Sequence, residues 1–153
     1  MVTPEAQLVL DERFMREALK QAEMAGYKDE VPIGAVIVSG TKIIAKGFNQ
    51  TETLNDVTAH AEMIAFTAAA SYLNGKYLRD CTLYVTVEPC VMCAGAAYWT
   101  QIDRIVFGAS DDKRGYHNKG NLLHPKTKIM GGVLQDECGT LVTRFFAKKR
   151  KLT

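Results

Sequence analysis

Near the start of the chain apolar residues recur at helical spacing: Phe14, Met15, Ala18, Leu19 and Ala22 fall on one stripe. Asp11 can cap the helix they define and Gly26 can end it. The period then changes. Ile33 to Val38 is an apolar run rich in β-branched residues, Ser39-Gly40 is a two-residue turn signal, and Lys42 to Phe48 returns as a second strand, which predicts a hairpin. After the polar stretch Asn49 to Thr58, a second helix is predicted from about Ala59 to Asn74, with Gly75 as its stop. Thr82 to Val87 reads as a short strand that leads through Glu88 into a third helix, and Arg104 to Gly108 as the strand after it. This strand-helix-strand alternation predicts the α/β class, in a three-layer α/β/α arrangement with crossover connections. Residues 109–130 are polar and without period, and read as a long functional loop with one helical turn near Leu122-Leu123. Val133-Leu134 suggests a short edge strand. Asp136 to Lys149 is an amphipathic helix burying Cys138, Leu141, Val142 and Phe145.

Composition narrows the class without naming a chemistry. With 153 residues and 47% hydrophobic content, one domain over 1–153 with a sizeable core is expected. No apolar run reaches the roughly 20 residues that span a bilayer, and Met1 to Val9 lacks the basic-then-apolar order of a leader. A cytoplasmic protein is therefore expected, with Cys81 and Cys138 as buried free thiols. The net charge of +2 does not by itself mark a nucleic-acid binder. Its distribution does more: Lys148-Lys149-Arg150-Lys151 close the chain, and Lys113-Arg114, Lys119, Lys126 and Lys128 cluster in the long loop. One end of the molecule can thus face phosphates, or the terminal cations can simply complement a helix dipole.

Chemistry enters with His60-Ala61-Glu62 and Pro89-Cys90-Val91-Met92-Cys93. One imidazole and two thiolates supply three ligands for a zinc ion and balance its charge. A structural zinc closes its tetrahedron with four protein ligands, whereas three leave a position for water beside an acid-base group, here Glu62. Thr58 can cap the helix carrying His60 and Glu62, Pro89 suits the first turn of the next, and helix N-termini favour the thiolates of Cys90 and Cys93. Alternatives remain on the motif alone: a redox dithiol at Cys90 and Cys93, a structural zinc completed by His117, His124 or Cys138, or a non-catalytic zinc module that binds RNA or a partner. Asn49, following a strand, reads as a turn residue.

The pairing of His-x-Glu with Pro-Cys-x-x-Cys is the signature of the zinc nucleoside and nucleobase deaminases. Beyond it, nearly the whole chain resembles the bacterial tRNA adenosine deaminases, which convert adenosine to inosine at the first anticodon position. Val31-Pro32-Ile33-Gly34-Ala35-Val36, Asn49, Thr58 to Glu62, Leu83 to Ala96, Val106 to Ala109, Asp111, Lys113, Gly115 and the terminal Phe145-Phe146 with its basic residues carry the resemblance. It implies a five-stranded mixed sheet flanked by helices, one zinc per chain, a homodimer, and a tRNA anticodon stem-loop as partner. It further implies that Asn49 bonds the flipped adenine, that Val31, Ala59 and Val87 line its pocket, and that a backbone amide between Glu88, Pro89 and Cys90 polarises the site. Asp111, Lys113 and the basic last helix would touch neighbouring nucleotides. Two departures stand out: Val57 replaces a proline common in the family, and Tyr116-His117-Asn118-Lys119-Gly120-Asn121 replaces a stretch of small residues. The latter bears on RNA contacts or on a different substrate. The alternative enzyme is a free guanine or cytosine-type deaminase, whose pocket a C-terminal segment with an aromatic residue commonly closes; here the end is basic.

Overall fold

Strand β1 (Gly34–Ser39) is buried almost throughout, because an apolar run without a polar face has to be covered on both sides. The computed structural model describes residues 2–152; Met1 and Thr153, the ends of the expected single domain, lie outside them. Through the predicted hairpin β1 pairs antiparallel with β2 (Lys42–Phe48), and on its other edge antiparallel with β3 (Cys81–Val87). β4 (Arg104–Ala109) and β5 (Lys128–Met130) then add in parallel, giving the order β2-β1-β3-β4-β5. The sheet is the expected mixed one of five strands.

Side-chain alternation divides the core between two faces. Val36, Val38, Tyr84 and Val106 meet Phe14, Met15 and Ala18 of helix α1 (Pro4–Tyr27) and Cys138 of α4 (Gln135–Leu152). On the other face Ala35, Ile37, Leu83, Val85 and Ile105 meet Ala61, Ala65 and Ala69 of α2 (Ala61–Leu73) and Ala94 and Ala97 of α3 (Val91–Thr100). The small residues of α2 permit a close approach. A Cβ at Gly47 would stand 2.5 Å from the Ala61 carbonyl oxygen, so this glycine lets the first turn of α2 lie against β2. That packing fixes the height at which residues 60–62 meet the sheet.

Three local expectations are corrected. Helix α1 starts at Pro4 with Thr3 as its cap, whose Oγ1 accepts from Ala6 N at 3.1 Å. Asp11 instead lies fully buried within the helix. Its carboxylate accepts from both terminal guanidinium nitrogens of Arg104 at 2.8 and 2.6 Å and from Tyr84 Oη at 2.8 Å, a tertiary pairing that binds α1 to β3 and β4. The last strand is Lys128–Met130 rather than Val133-Leu134, because Gly132 (φ 89°) and Leu134 (φ 53°) turn the chain directly into α4. The helical turn of the long loop falls at Tyr116–Lys119, while Leu123 of the expected position is buried in the same core cluster as residues of α2 and α3. Among the described residues no helix is long and apolar enough to cross a membrane. Cys81 and Cys138 are buried and free, as expected.

Candidate active site

Helices α2 and α3 begin at the same side of the sheet, and each begins with a residue of the motif. His60 is the N-cap of α2 and Cys90 the N-cap of α3, both in extended backbone. The expected caps are displaced by local bonds: Thr58 Oγ1 donates to Asp56 Oδ1 at 2.7 Å, and Pro89, just outside α3, accepts through its carbonyl from Tyr116 N at 2.9 Å. Seating metal-type ligands at two helix N-termini aims the free amides and positive dipole ends toward where thiolate charge would sit.

His60 Nδ1 lies 3.6 Å from Cys90 Sγ and 3.6 Å from Cys93 Sγ. All three donor atoms fall within 4.8 Å of one another. A tetrahedral zinc with Zn–S about 2.3 Å and Zn–N about 2.0–2.1 Å separates nitrogen and sulfur ligands by about 3.6 Å, so the set fits this ion. The three donors set one another's protonation. The Cys93 thiol bonded to Cys90, with His60 adding to it, lowers Cys90 to about 4 against the opposing effect of burial. That bond and burial hold Cys93 up, while the bond with Cys90 raises His60. Loading a metal therefore releases a proton from Cys93, which must become a thiolate to bind it.

Glu62, in the first turn of α2, is 4% exposed. Burial pushes its carboxyl up to about 7, and the thiol of Cys93 is bonded to it. A carboxyl with that pKa can both take and give a proton near neutrality. Asn49 follows β2, where its Oδ1 accepts from Ala61 N at 2.9 Å. This bond fills one of the vacant donor positions of α2 and leaves the side-chain NH₂, a double donor, as the group Asn49 can offer to a base.

The remaining predicted residues divide into two neighbourhoods. Val87, Asp111 and Lys113 line one cleft of about 460 Å³ together with Arg114, Phe146 and Arg150. Val31 lies instead in a neighbouring recess of about 490 Å³, with Lys28, Phe146 and Lys149. Phe146 of α4 is common to both. Ala59 is buried, and its carbonyl accepts from Gln50 N at 2.9 Å. The Glu88 amide donates to Ala109 O at 2.8 Å and Pro89 has no N–H, so of the three expected polarising amides Cys90 is the one that remains. The Glu88 side chain is itself a hub that sequence reasoning missed: Oε1 accepts from Asp111 N at 3.0 Å and Oε2 from His117 N at 3.2 Å and from His117 Nδ1. Glu30 was missed likewise. It is 1% exposed and accepts from Glu52 N at 3.1 Å and from Thr53 N and Oγ1 at 2.6 Å. Single acidic letters next to a valine carry no period or spacing that would have flagged either.

Sheet order, paired helix N-caps and a His-Cys-Cys donor set beside a buried carboxyl define a zinc-binding deaminase. The model of the cytidine and deoxycytidylate deaminase zinc-binding region matches residues 8–109, and the chain belongs to that family, whose cofactor is zinc. Within it the tRNA-specific adenosine deaminases are close relatives. The chain is 44% identical over 147 residues to that of Bacillus subtilis (strain 168), covering 92% of this chain and 91% of the relative. It is 43% identical over 145 residues to that of Rickettsia bellii (strain RML369-C), covering 89% and 99%. Among solved structures, one from a study of A-to-I editing by tRNA:A34 deaminases at the wobble position superposes with a TM-score of 0.79 at 39% identity, over 84% of this chain and 98% of that one. Guanine deaminase from Nitrosomonas europaea superposes with a TM-score of 0.76 at 25% identity, over 96% and 86%.

Proposed function

We propose that this protein hydrolytically deaminates adenosine to inosine at the wobble position of a tRNA anticodon stem-loop, with His60, Cys90 and Cys93 holding one zinc ion and Glu62 moving the protons. The observation that carries this reading is the buried Glu62 carboxyl beside the donor triad, in a chain that matches tRNA-specific adenosine deaminases over about nine-tenths of its length. Zinc held there supplies a Lewis acid that lowers the pKa of water from 15.7 toward about 7. Glu62 takes a proton from the attacking water and delivers it to the ring nitrogen beside C6. A C6–O bond forms; Glu62 then takes the remaining proton from the new C6 hydroxyl and gives it to the exocyclic amine, so that the C6–N bond breaks, ammonia leaves and the C6 oxygen becomes the carbonyl of inosine. Asn49 offers two donors to acceptors on the base, and Val87 and Ala59 present apolar surface near it. Val31 contributes from the adjoining recess, as one wall of a wider RNA-facing trough. The Cys90 N–H serves as the polarising amide.

Asp111, Lys113, Arg114 and Arg150 around the cleft suit a splayed RNA loop, with the cations meeting phosphates. Exposed Val57, Val91 and Trp99, 85%, 50% and 77% accessible, support a homodimer formed on the α2–α3 side. Four free cysteines suit the cytoplasm. The testing experiment measures zinc content with inosine formation in an anticodon stem-loop bearing adenosine at the wobble position, against free adenosine, guanine and cytidine. Inosine in the stem-loop with zinc near one per chain supports the reading. Consumption of guanine with the stem-loop untouched would overturn it in favour of the guanine deaminase neighbours.

A further inference from the structure

The segment that departs most from the family's small residues is also the one tied to the buried Glu88. We propose that Glu88 and His117 are positioning residues, which lock residues 111–117 into a fixed wall of the RNA cleft before substrate arrives; this rests on the RNA-substrate reading above.

Glu88 is 4% exposed at the end of β3, and its carboxylate is met from three directions by one segment. Asp111 N reaches Oε1 at 3.0 Å, while His117 N at 3.2 Å and His117 Nδ1 share Oε2. A carboxylate only accepts, so Nδ1 carries the hydrogen of that bond. Gly115 passes directly over the carboxylate: a Cβ there would stand 2.4 Å from Oε2, which excludes any other residue from this crossing. The segment is closed on itself by Gly115 N to Asp111 O at 2.9 Å and by Lys113 N and Arg114 N to Asp111 Oδ1 at 3.1 and 2.9 Å. It is tied back to the ligand helix by Tyr116 N to Pro89 O at 2.9 Å.

Outside its short helical turn this segment pairs with the rest of the fold through a single bridge, Gly115 to Cys90, so the bonds to Glu88 are the ones that fasten it to a buried side chain. Its Asp111, Lys113 and Arg114 form one side of the cleft against Phe146 and Arg150. His117 supplies the one side-chain donor among the three bonds to Glu88 named above. Its own side chain is 46% exposed, so it contributes by holding the loop rather than by filling the core. Ordering the wall beforehand reduces what RNA binding must otherwise spend on fixing it.

The test compares wild type with His117→Ala and His117→Asn, the second of which keeps a side-chain N–H donor near the position of Nδ1, all loaded with zinc. Amide hydrogen exchange at Asp111 and His117 should accelerate at least tenfold in His117→Ala, with exchange in β3 and α2 unchanged. On the stem-loop KM should rise roughly five- to tenfold, the scale of one ordinary hydrogen bond, with kcat within twofold and zinc content unchanged. His117→Asn should recover most of both. Glu88→Gln, which turns an acceptor into a donor against those amides, should accelerate the same exchange. Unchanged exchange in His117→Ala would overturn the lock, and faster exchange with unchanged KM would overturn its bearing on substrate. If wild type made no inosine in the stem-loop, the functional reading would fail while exchange still decided the lock.

Discussion

Glu30 and Glu62 are both buried glutamates, 1% and 4% exposed, yet burial leaves them in opposite states. Glu30 is surrounded by donors from Thr51, Glu52 and Thr53, which together outweigh the effect of burial and hold its carboxyl below the usual range. Glu62, without such a cage, is pushed up to about 7 by burial. The difference teaches that seclusion from water does not decide a carboxylate's role; the supply of N–H and O–H donors does. A caged carboxylate anchors a loop, here the one between Asn49 and His60. An uncaged one keeps its proton exchangeable and can serve chemistry.

The largest expected effect breaks the reactive side of this pair. Glu62→Gln should lower kcat about 10²- to 10⁴-fold with zinc still bound, as read by single-turnover inosine formation and metal analysis; zinc loss in the variant would mean the residue is structural. Next, Cys90→Ser or prolonged chelation should remove the metal and activity together, and zinc added back should rescue the chelated wild type alone. On the anchoring side, Glu30→Gln should cost about 1–3 kcal/mol of stability, because its amide group opposes donors with a donor. Its kcat should stay far nearer wild type than that of Glu62→Gln, and a loss of equal size would erase the distinction.

Acid titration sharpens the same contrast. Glu30 and Asp11 have native pKa values held below the ordinary 4.5 and 3.8. For Asp11, burial opposes the shift, but the bonds from Arg104, Tyr84 and Gln7 prevail. In each case the unfolded chain binds the proton more readily, so their stabilisation is fully present above the unfolded values and is lost as pH falls below them toward the native ones. Asp11→Asn and Glu30→Gln should each flatten the acid limb of a chemical-denaturation series between about pH 5 and pH 2. The smallest effect belongs to the surface: Lys148→Ala should leave stability within about 0.5 kcal/mol and reduce the salt slope of RNA binding by about one.

Much of this was legible in the chain because period and spacing are local. The apolar run of β1, the hairpin at Ser39-Gly40 and the donor spacing of His60, Cys90 and Cys93 needed no tertiary knowledge. What escaped depended on partners distant in sequence. Asp11 resembles a cap until Arg104, far along the chain, is brought against it. β5 has three residues and only Ile129 turned inward, too short for alternation to register, and its pairing with β4 is what makes it a strand. Val133 and Leu134 looked like a strand because both are apolar, but the left-handed backbone at Leu134 was invisible in composition. Thr58 was a reasonable cap by type and was outbid by Asp56, two residues away. The anchoring roles of Glu30 and Glu88 arise from loops folding back upon them, which no spacing rule encodes.

The two ligand-bearing caps start different helices, and those helices reach one another only after docking on the same face of the sheet. Their donor set therefore does not exist in the unfolded chain, and the free energy of zinc binding is in part free energy of folding. Zinc held by the proposed ligands would act as a clasp between α2 and α3, and the protein's thermal resistance would become a function of free zinc concentration. A cell short of the metal would lose this enzyme by unfolding and degradation as well as by inactivity.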